Sequence, residues 1–472
     1  MAQTFFFHDY ETFGSDPRRD RPCQFAGLRT DENFNPIAEP VVAYCRPSPD
    51  CLPDPIACLI TGITPQIAGE KGVREAEFAA LIHAQLAQPQ TCALGYNTLR
   101  FDDEVTRHLF YRNLYDPYAR EWQNGNSRWD LIDLVRAARA LRPEGVVWPE
   151  LDGKPSLKLE QLSAANGLLH DAAHDALSDV HATIALARLL KAKQPRLFEF
   201  LLHNRGKQAA AGLLSLGTYQ PLLHVSGRYA GERGNLAVIV ALAGHPTNNN
   251  GVVVFDLSAD PEPLLSLSAD AIRERLYSAT ADLPAGVARI PLKTVHLNKC
   301  PVLAPMNALR PQDAERWRID LAQYAQHLEA LKNATGLADK LRAVFAAPEY
   351  PAGDVDVALY DGFIKDTDRN TLIKLRALSP EGLAGARPAF DDPRLPEIFF
   401  RYRARNWPES LNAEETQRWQ ALRRRRLLEP VGAQSPLDQY RQQLRQLQNE
   451  WAGDAGKLAV LGALQAYGEG LF

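Results

Sequence analysis

Long hydrophobic segments are absent from this sequence of 472 residues. No stretch of about 18 consecutive apolar residues occurs, and a membrane-spanning helix needs one. The first residues, MAQTFFFHDYE, also lack the basic and the long apolar segments of a secretory signal. We therefore expect a protein that has no membrane segment and works in the cytoplasm.

Cysteine is scarce, and the six cysteines form no recognisable pattern. They stand at positions 23, 45, 51, 58, 92 and 300, without a CxxC pair or a Cys/His spacing typical of zinc sites. In a cytosolic protein of this size we expect reduced thiols that fill space in the core.

A surplus of positive charge is absent as well. The chain has 53 Lys and Arg against 57 Asp and Glu, so its formal net charge is −4. The whole-chain charge gives no reason to expect a polyanionic partner. If nucleic acid is the substrate, local features must show it.

The length of the chain and the change in its predicted secondary structure along the sequence indicate three domains rather than one core. Residues 1–195 mix strands and helices, which indicates a mixed sheet flanked by helices. Residues 196–350 are β-rich and predict a small barrel or open sheet, whereas residues 354–472 are helical throughout. In the first domain we expect strands at 4–7, 24–29, 41–45 and 91–95, and helices at 75–86, 104–113, 131–141 and 176–193. In the second, apolar runs occupy 236–242, 251–257 and 287–297.

The strongest local signal is FFFHDYETFG, where Asp9 and Glu11 stand two residues apart. In a strand both carboxylates project to one face, where each raises the pKa of the other unless a cation lies between them. Mg²⁺ or Mn²⁺, which prefer oxygen ligands, would relieve that repulsion. An exposed pair at the end of a strand is the equally simple alternative.

Two further acidic clusters lie at the starts of predicted helices. Asp102 is followed by two more acids, and the helix dipole alone could explain all three. His174 precedes a long helix, and Asp179 lies one turn inside it, free to face the sheet. Taken by itself, His174 is better explained as an ordinary surface or core histidine.

In combination these residues are more specific. The order D-x-E, then N-x₃-F-D, then H-x₄-D resembles the DEDDh exonucleases of the ribonuclease-H-like fold. Further segments, among them LITGITP, GYNTLRFDDEVTR, VHLNKCPVLAP and FFRYRARNWP, are similar to the bacterial exonuclease I family along nearly the whole chain. The resemblance implies an α/β ribonuclease-H-like exonuclease domain, an SH3-like β-rich domain and an α-helical C-terminal domain.

The resemblance also implies an activity: Mg²⁺-dependent hydrolysis of single-stranded DNA from its 3′-end to 5′-mononucleotides, in DNA repair and recombination. Two metal ions, with Mn²⁺ as a possible substitute for Mg²⁺, would assist the displacement at phosphorus. Asp9 would bridge the ions, Glu11 and Asp179 would complete one site, and Asp102 would hold the other partly through water. His174 would be the general base.

Single-strand binders combine cations with aromatic platforms, and the segment 107–142 has that character. A solvated helix face with core aromatics is the alternative for about half of its members. The predicted contacts with single-stranded DNA are Glu11, Arg107, Tyr118, Trp122, Arg136 and Lys158, with a weaker set of Arg228, His296, Asn298 and Lys299. Lys158 stands where the family usually carries Arg, so it retains the charge but lacks the bidentate fork.

The family is also understood to dock the acidic, apolar C-terminal tail of single-strand DNA-binding protein (SSB), and Arg142, Phe200 and Arg310 match the corresponding positions. We expect a monomer. Two alternatives remain: an RNA-trimming exoribonuclease of the ribonuclease T type, which shares the five active-site residues, and a non-catalytic single-strand-binding repair scaffold. The long additional chain favours exonuclease I over the first, and the complete ligand set argues against the second.

Overall fold

A computed structural model describes residues 3–168, 175–346 and 353–471. The strands are β1 Thr4–Thr12, β2 Pro22–Thr30, β3 Val41–Tyr44, β4 Thr91–Gly95, β5 Ser127–Asp130, β6 Glu150–Leu151, β7 Lys154–Pro155, β8 Leu222–Val225, β9 Leu236–Gly244, β10 Gly251–Asp256, β11 Leu292–His296 and β12 Val302–Pro305.

The first fourteen helices are α1 Pro55–Thr61, α2 Pro65–Lys71, α3 Glu75–Leu86, α4 Asp102–Arg112, α5 Leu131–Leu141, α6 Leu159–Ala165, α7 Ala176–Lys193, α8 Pro195–His203, α9 Lys207–Leu213, α10 Glu262–Ser266, α11 Ala269–Tyr277, α12 Pro311–Arg316, α13 Leu321–Asn333 and α14 Leu337–Val344. After a 3₁₀ segment, Val355–Asp361, the remaining helices are α15 Asp366–Arg376, α16 Pro380–Gly385, α17 Leu395–Asn406, α18 Ala413–Leu428, α19 Pro436–Glu450 and α20 Ala455–Glu469.

The chain forms two compact units that do not follow chain order. Unit 1 contains Met1–Ser127, Leu169–Ile184 and Pro351–Phe472, and unit 2 contains Arg128–Leu168 and Ala185–Tyr350. The N-terminal sheet and the C-terminal helices therefore share one unit. The domain boundaries at residues 195 and 354 stay predictions.

The sheet of unit 1 is mixed, as the sequence predicts. Its strand order is β3-β2-β1-β4, with β1 antiparallel to β2 and parallel to β4. The side chains of Phe6 and Tyr10 on one face of β1 pack with Phe25, Phe78 and Leu109 in an aromatic core. The opposite face of β1 is left for Asp9 and Glu11, because successive side chains of a strand alternate.

The C-terminal helices extend the core of unit 1. Tyr111 at the end of α4 is buried with Leu372, Leu395 and Phe399 of α15 and α17. A second cluster joins Phe13, just after β1, to α19 and α20. Aromatic residues of the N-terminal region thus lie in cores completed by the C-terminal helices.

Buried ion pairs also connect the two ends of unit 1. Asp356 contacts Arg21, Arg401, Arg405 and Arg426. The side chain of Asp50 is fully buried and pairs with two of the same arginines, 405 and 426. A network of acids and guanidinium groups therefore fixes the start of the C-terminal region to the N-terminal sheet.

Unit 2 contains the antiparallel sheet predicted from the β-rich texture. Its strand order is β11-β10-β9-β8-β12, and small and branched side chains such as Ile239, Val254 and Leu303 fill its core. The prediction of a sheet in this region is confirmed. The apolar run 287–297 yields only the five-residue strand β11, which begins just after Pro291.

All six cysteines are free thiols, five of them buried, so the space-filling interpretation is confirmed. Among the helices of the described ranges, none is long and apolar enough to cross a membrane.

Candidate active site

Strand β1 carries the D-x-E pair at the point where its pairing with β4 has ended. The parallel register joins β1 to β4 only from Thr4 to Phe7, whereas β2 continues opposite Asp9 and Glu11. One edge of β1 is therefore open beside these carboxylates. At Gly95 the chain leaves β4 so close to the β1 backbone that a Cβ atom would lie 2.5 Å from the carbonyl oxygen of His8.

Helix α4 fills the open edge of β1. Its first residue, Asp102, accepts a hydrogen bond at Oδ1 from the backbone N–H of Tyr10, with a nitrogen–oxygen distance of 3.0 Å. The Asp102 carboxylate thus takes the place of a strand partner for the backbone of Tyr10, the residue between Asp9 and Glu11. Thr106, one turn further along α4, hydrogen-bonds the Tyr10 hydroxyl over 3.0 Å and reinforces the contact.

Helix α7 brings Asp179 to the same face. Asp175 immediately precedes α7 and accepts from the N–H of Ser178, over 3.2 Å, as a helix cap does. Gln24, which lies directly opposite Glu11 on β2, contacts both the Asp175 carboxylate and the N–H of Ala176. A buried amide of the sheet therefore holds the start of the helix that carries Asp179.

The carboxylates of Asp9, Glu11 and Asp179 form one cluster, with an oxygen from each lying within 4.8 Å of the others. Burial, followed by the negative charge of Asp102, raises the pKa of the Asp9 carboxyl well above its ordinary value. Burial and the charge of Asp179 raise the pKa of Glu11 to about 8. Without a cation, this arrangement favours protonated carboxyl groups.

Such a cluster fits a divalent metal. Its donors are carboxylate oxygens, the ligands that hard cations such as Mg²⁺ prefer, and a positive charge would remove the repulsion that raises both pKa values. The fifth predicted active-site residue, His174, lies outside the described residues.

Comparison with known proteins decides between the possible families. Three family models match consecutive parts of the chain: an exonuclease model at residues 6–187, an exonuclease I SH3-like domain at 205–347 and an exonuclease I C-terminal domain at 353–471. The chain is 49% identical to exodeoxyribonuclease I of Escherichia coli over 472 residues, which is 99% of this chain and 98% of the relative. The chain belongs to the exonuclease I family.

The structural neighbours agree with this assignment. An exonuclease I from Methylocaldum szegediense is 55% identical with a TM-score of 0.95, and each chain is covered completely. The zinc-bound complex of E. coli exonuclease I with single-stranded DNA is 48% identical, with a TM-score of 0.95 and complete coverage of both chains. A structure described as SSB/exonuclease I with the inhibitor CFAM is 47% identical, with a TM-score of 0.92 and the same coverage. The predicted family and the predicted three-part fold class are confirmed.

The predicted DNA contacts of unit 1 differ in their exposure to solvent. Trp122 is 64% exposed, as a stacking platform would be. Tyr118 is half-buried, with the Arg107 guanidinium 5.4 Å from its ring centroid. Arg107 itself is buried and pairs with Glu104 and, through two hydrogen bonds, with Glu121. Its charge is therefore already matched by carboxylates, although its predicted role in binding DNA stays a prediction.

In unit 2 the predicted contacts lie at several places. Arg136 pairs with Asp133 on α5 and rests against Gly227, where a Cβ atom would approach its guanidinium to 2.8 Å. Lys158 is exposed at the start of α6, 4.0 Å from Glu160. Arg228 directly follows Gly227 and is exposed.

The remaining predicted contacts of unit 2 follow β11. His296 is half-buried, with Asn248 3.2 Å from its Nδ1, and Asn298 accepts a hydrogen bond at its carbonyl from Arg128. Lys299 is exposed next to it. Exposure thus supports Lys158, Arg228 and Lys299 most directly as phosphate contacts.

Two of the predicted partner-binding residues lie together. Arg142 and Arg310 both approach Asp313, at 3.8 and 2.6 Å, and their side chains are 30% and 26% exposed. Phe200 is half-buried on α8. These positions stay predictions as a partner site.

Sequence reasoning missed Gln24 and assigned no role to Asp175. The signal for Gln24 was a single amide in the otherwise apolar strand PCQFAGL. Asp175 lies close enough for its charge to raise the pKa values of Asp9 and Glu11. Both side chains therefore belong to the surroundings of the carboxylate cluster.

Proposed function

We propose that the protein hydrolyses single-stranded DNA from its 3′-end and releases 5′-mononucleotides, with a divalent metal bound at the carboxylate cluster. The observation that carries the proposal is the cluster of Asp9, Glu11 and Asp179, whose oxygens lie within 4.8 Å of one another. Relatives that are nearly half identical over the whole chain are exodeoxyribonuclease I enzymes, and one neighbour was solved with single-stranded DNA.

Asp9, Glu11 and Asp179 would hold one ion, and Asp102 would contribute to a second that Asp9 shares. Mg²⁺ is the proposed cofactor, with Mn²⁺ as a substitute. When bound, the metal supplies positive charge to the phosphate and lowers the pKa of water. His174 is proposed to remove a proton from the attacking water, on the strength of the family pattern and an imidazole pKa near neutrality.

The carboxylate cluster cannot distinguish deoxyribose from ribose, so a preference for DNA over RNA depends on the surface that binds the strand. Exposed Trp122 offers a face on which a base can stack, and the exposed cations Lys158 and Lys299 offer phosphate contacts. We propose that these residues bind the strand, with Tyr118, Arg136 and His296 as further contacts.

The test uses one sequence in several chemical forms: 5′-labelled single-stranded DNA, the same DNA with a blocked 3′-end, its RNA counterpart and a blunt duplex. With Mg²⁺ we expect only the unblocked DNA strand to be shortened from the 3′-end, and EDTA to stop the reaction. Equal attack on RNA, digestion of the blocked strand or turnover in EDTA would reject the proposal.

A pair of variants assigns the chemistry to the cluster. Asp9→Asn should abolish turnover because it removes a metal ligand, while binding of single-stranded DNA in EDTA should be retained. Asp270→Asn is the matched control, since the Asp270 side chain is 87% exposed and pairs with a neighbouring arginine in the same helix. A wild-type rate in Asp9→Asn would show that the cluster is not the active site.

We further propose that Arg142, Phe200 and Arg310 bind the acidic, apolar C-terminal tail of SSB. A neighbour solved as SSB/exonuclease I supports this, together with the two partly exposed arginine side chains beside Asp313. A fluorescent acidic peptide with an apolar end should bind the wild-type protein and be displaced by unlabelled peptide. We propose that the enzyme is monomeric, which light scattering tests, and that it acts on DNA in the cytoplasm.

A further inference from the structure

Helix α4 begins with three consecutive buried carboxylates, and only the first is proposed to hold metal. Asp103 pairs with Arg120, whose side chain is fully buried, at 2.5 Å. Glu104 pairs with Arg107 at 2.9 Å and accepts a hydrogen bond from the hydroxyl of Tyr360. The first turn of α4 is therefore held on two sides by groups that lie outside the metal cluster.

Tyr360 comes from the C-terminal region of the chain, in the 3₁₀ segment that precedes α15. Its hydroxyl donates to Oε2 of Glu104 and accepts from Nη1 of Arg107 over 3.1 Å. Its ring meets the His108 ring edge to face, with centroids 5.9 Å apart. Residues 104, 107 and 108 share one face of a helix, so Tyr360 contacts that face at three residues.

We propose that Tyr360 is a positioning residue for Asp102: its hydrogen bond to Glu104 sets where the first turn of α4, and with it the Asp102 carboxylate, lies beside Asp9. This inference rests on the proposed function of the cluster. It gives the C-terminal region a role in the chemistry, in addition to any role in binding the strand.

The geometry makes the coupling direct. Asp102 and Glu104 are two residues apart in one helical turn, and the Asp102 contact to the Tyr10 N–H is a single hydrogen bond of 3.0 Å. A hydrogen bond to a buried charged carboxylate is among the stronger ones in proteins. Burial raises the pKa of Tyr360, so its hydroxyl stays protonated, and available as a donor, throughout the neutral range.

The ion pairs of the first turn of α4 do not involve the Tyr360 hydroxyl, so the test isolates the hydrogen bond from that hydroxyl. Asp103 still pairs with Arg120 and Glu104 still pairs with Arg107 when the Tyr360 hydroxyl is removed. Tyr360 is 46% exposed as a residue, and its ring can remain in place as phenylalanine. Tyr360→Phe is therefore expected to fold, with only the placement of the turn relaxed.

The decisive measurement is binding of Mn²⁺ to the DNA-free protein, followed by electron paramagnetic resonance of the free ion. Groups that orient metal ligands typically change metal affinity by 10- to 100-fold, and for this more remote contact we expect a loss of about three- to tenfold. The Mn²⁺ concentration for half-maximal digestion should rise by the same factor, and excess Mn²⁺ should restore the rate. Affinity for single-stranded DNA in EDTA should stay unchanged.

The matched control is Tyr440→Phe, because the Tyr440 hydroxyl also donates one buried hydrogen bond, to the carbonyl of Leu464, over 3.0 Å. Tyr440 lies on α19 and packs against α20 in the cluster that contains Phe13. Wild-type Mn²⁺ affinity in Tyr360→Phe, or an equal loss in Tyr440→Phe, would overturn the proposal.

Glu104→Gln provides a second route to the same question. If both residues act through one hydrogen bond, the double variant should lose little more Mn²⁺ affinity than the worse single variant. Additive losses, or unchanged affinity in Glu104→Gln, would contradict the proposed coupling. Because Mn²⁺ binding needs no turnover, a wild-type protein that failed to digest DNA would reject the proposed function and leave this test decisive.

Discussion

Replacing Asp356 by asparagine should destabilise unit 1 strongly at neutral pH. This carboxylate is buried among the guanidinium groups of Arg21, Arg401, Arg405 and Arg426, at 3.5, 3.1, 2.5 and 2.8 Å. Asparagine removes the negative charge and turns an N–H₂ group toward cations that are themselves donors. The variant therefore leaves buried positive charge without its main counter-charge.

The expected magnitude follows from the partners that remain. Breaking a buried ion pair by removing one partner typically costs about 3–5 kcal/mol. Asp50 still faces Arg405 and Arg426, and Asp354 still faces Arg401. Because each cation keeps some compensation, we expect the lower end of that range, about 3 kcal/mol.

The pH dependence gives a second, independent signature. The surrounding arginines hold the pKa of Asp356 well below its ordinary value despite its burial. The folded carboxylate therefore stays charged below pH 4, while the unfolded one takes up a proton near its reference pKa of about 3.9. Its stabilising contribution is present above that pH and is lost as the pH falls, so wild type and Asp356→Asn should converge in acid.

Urea unfolding followed by circular dichroism at pH 7 and at pH 3.5 measures both effects. Asp366→Asn is the control, because Asp366 is 88% exposed and its pair with Arg369 should contribute little. A loss below about 1 kcal/mol at pH 7, far under the 3–5 kcal/mol of a broken buried pair, would refute the account of the network. If the difference in free energy of unfolding between wild type and Asp356→Asn does not shrink from pH 7 to pH 3.5, the stabilising charge is not that of the Asp356 carboxylate.

Three further outcomes are expected for strand binding. Trp122→Ala should weaken binding of single-stranded DNA in EDTA by about five- to 150-fold, the range for one lost base–aromatic stack, measured by fluorescence anisotropy. Lys158→Arg should strengthen it about two- to fivefold, since the guanidinium fork can bind phosphate through two hydrogen bonds, and no change would show that Lys158 does not touch the strand. A plot of log affinity for single-stranded DNA against log salt concentration should have a slope shallower than about −5, the value that seven independent arginine–phosphate contacts would give. A steeper slope would contradict the pairing of these arginines with carboxylates.

Much of the fold was predictable because its longer elements have clear periodicity. Strand β4 and helices α3, α5 and α7 have the predicted bounds. Strand β1 was predicted to end at Phe7 and continues to Thr12, because hydrophobic alternation gives no signal across the polar residues of the carboxylate pair. The short helices α1 and α2, each capped by a side chain and opened by proline, carry too little periodicity to be recognised.

The site was only partly predictable from local pattern. The two-residue spacing of Asp9 and Glu11 is enough to place both on one face of a strand. Asp102 and Asp179 lie about 90 and 170 residues further along the chain, and only the family resemblance brought them to the same site; the roughly 4.8 Å cluster formed with Asp179 has no local signature in the sequence.

The positive segment 107–142 shows why counting charges in a sequence overstates an electrostatic surface. Most of its arginines have carboxylate partners, among them Arg107, Arg112 and Arg120 in unit 1, and Arg136 and Arg142 in unit 2. Some of those partners are neighbours on the same helix, and others, such as Glu75, are distant in sequence. Since a guanidinium already paired with a carboxylate must exchange that partner to bind a phosphate, its net contribution to affinity is small. We therefore expect binding of the strand to depend mainly on stacking and on the exposed cations, whereas the ion pairs of Arg107, Arg112 and Arg120 hold α4 and its carboxylates in place.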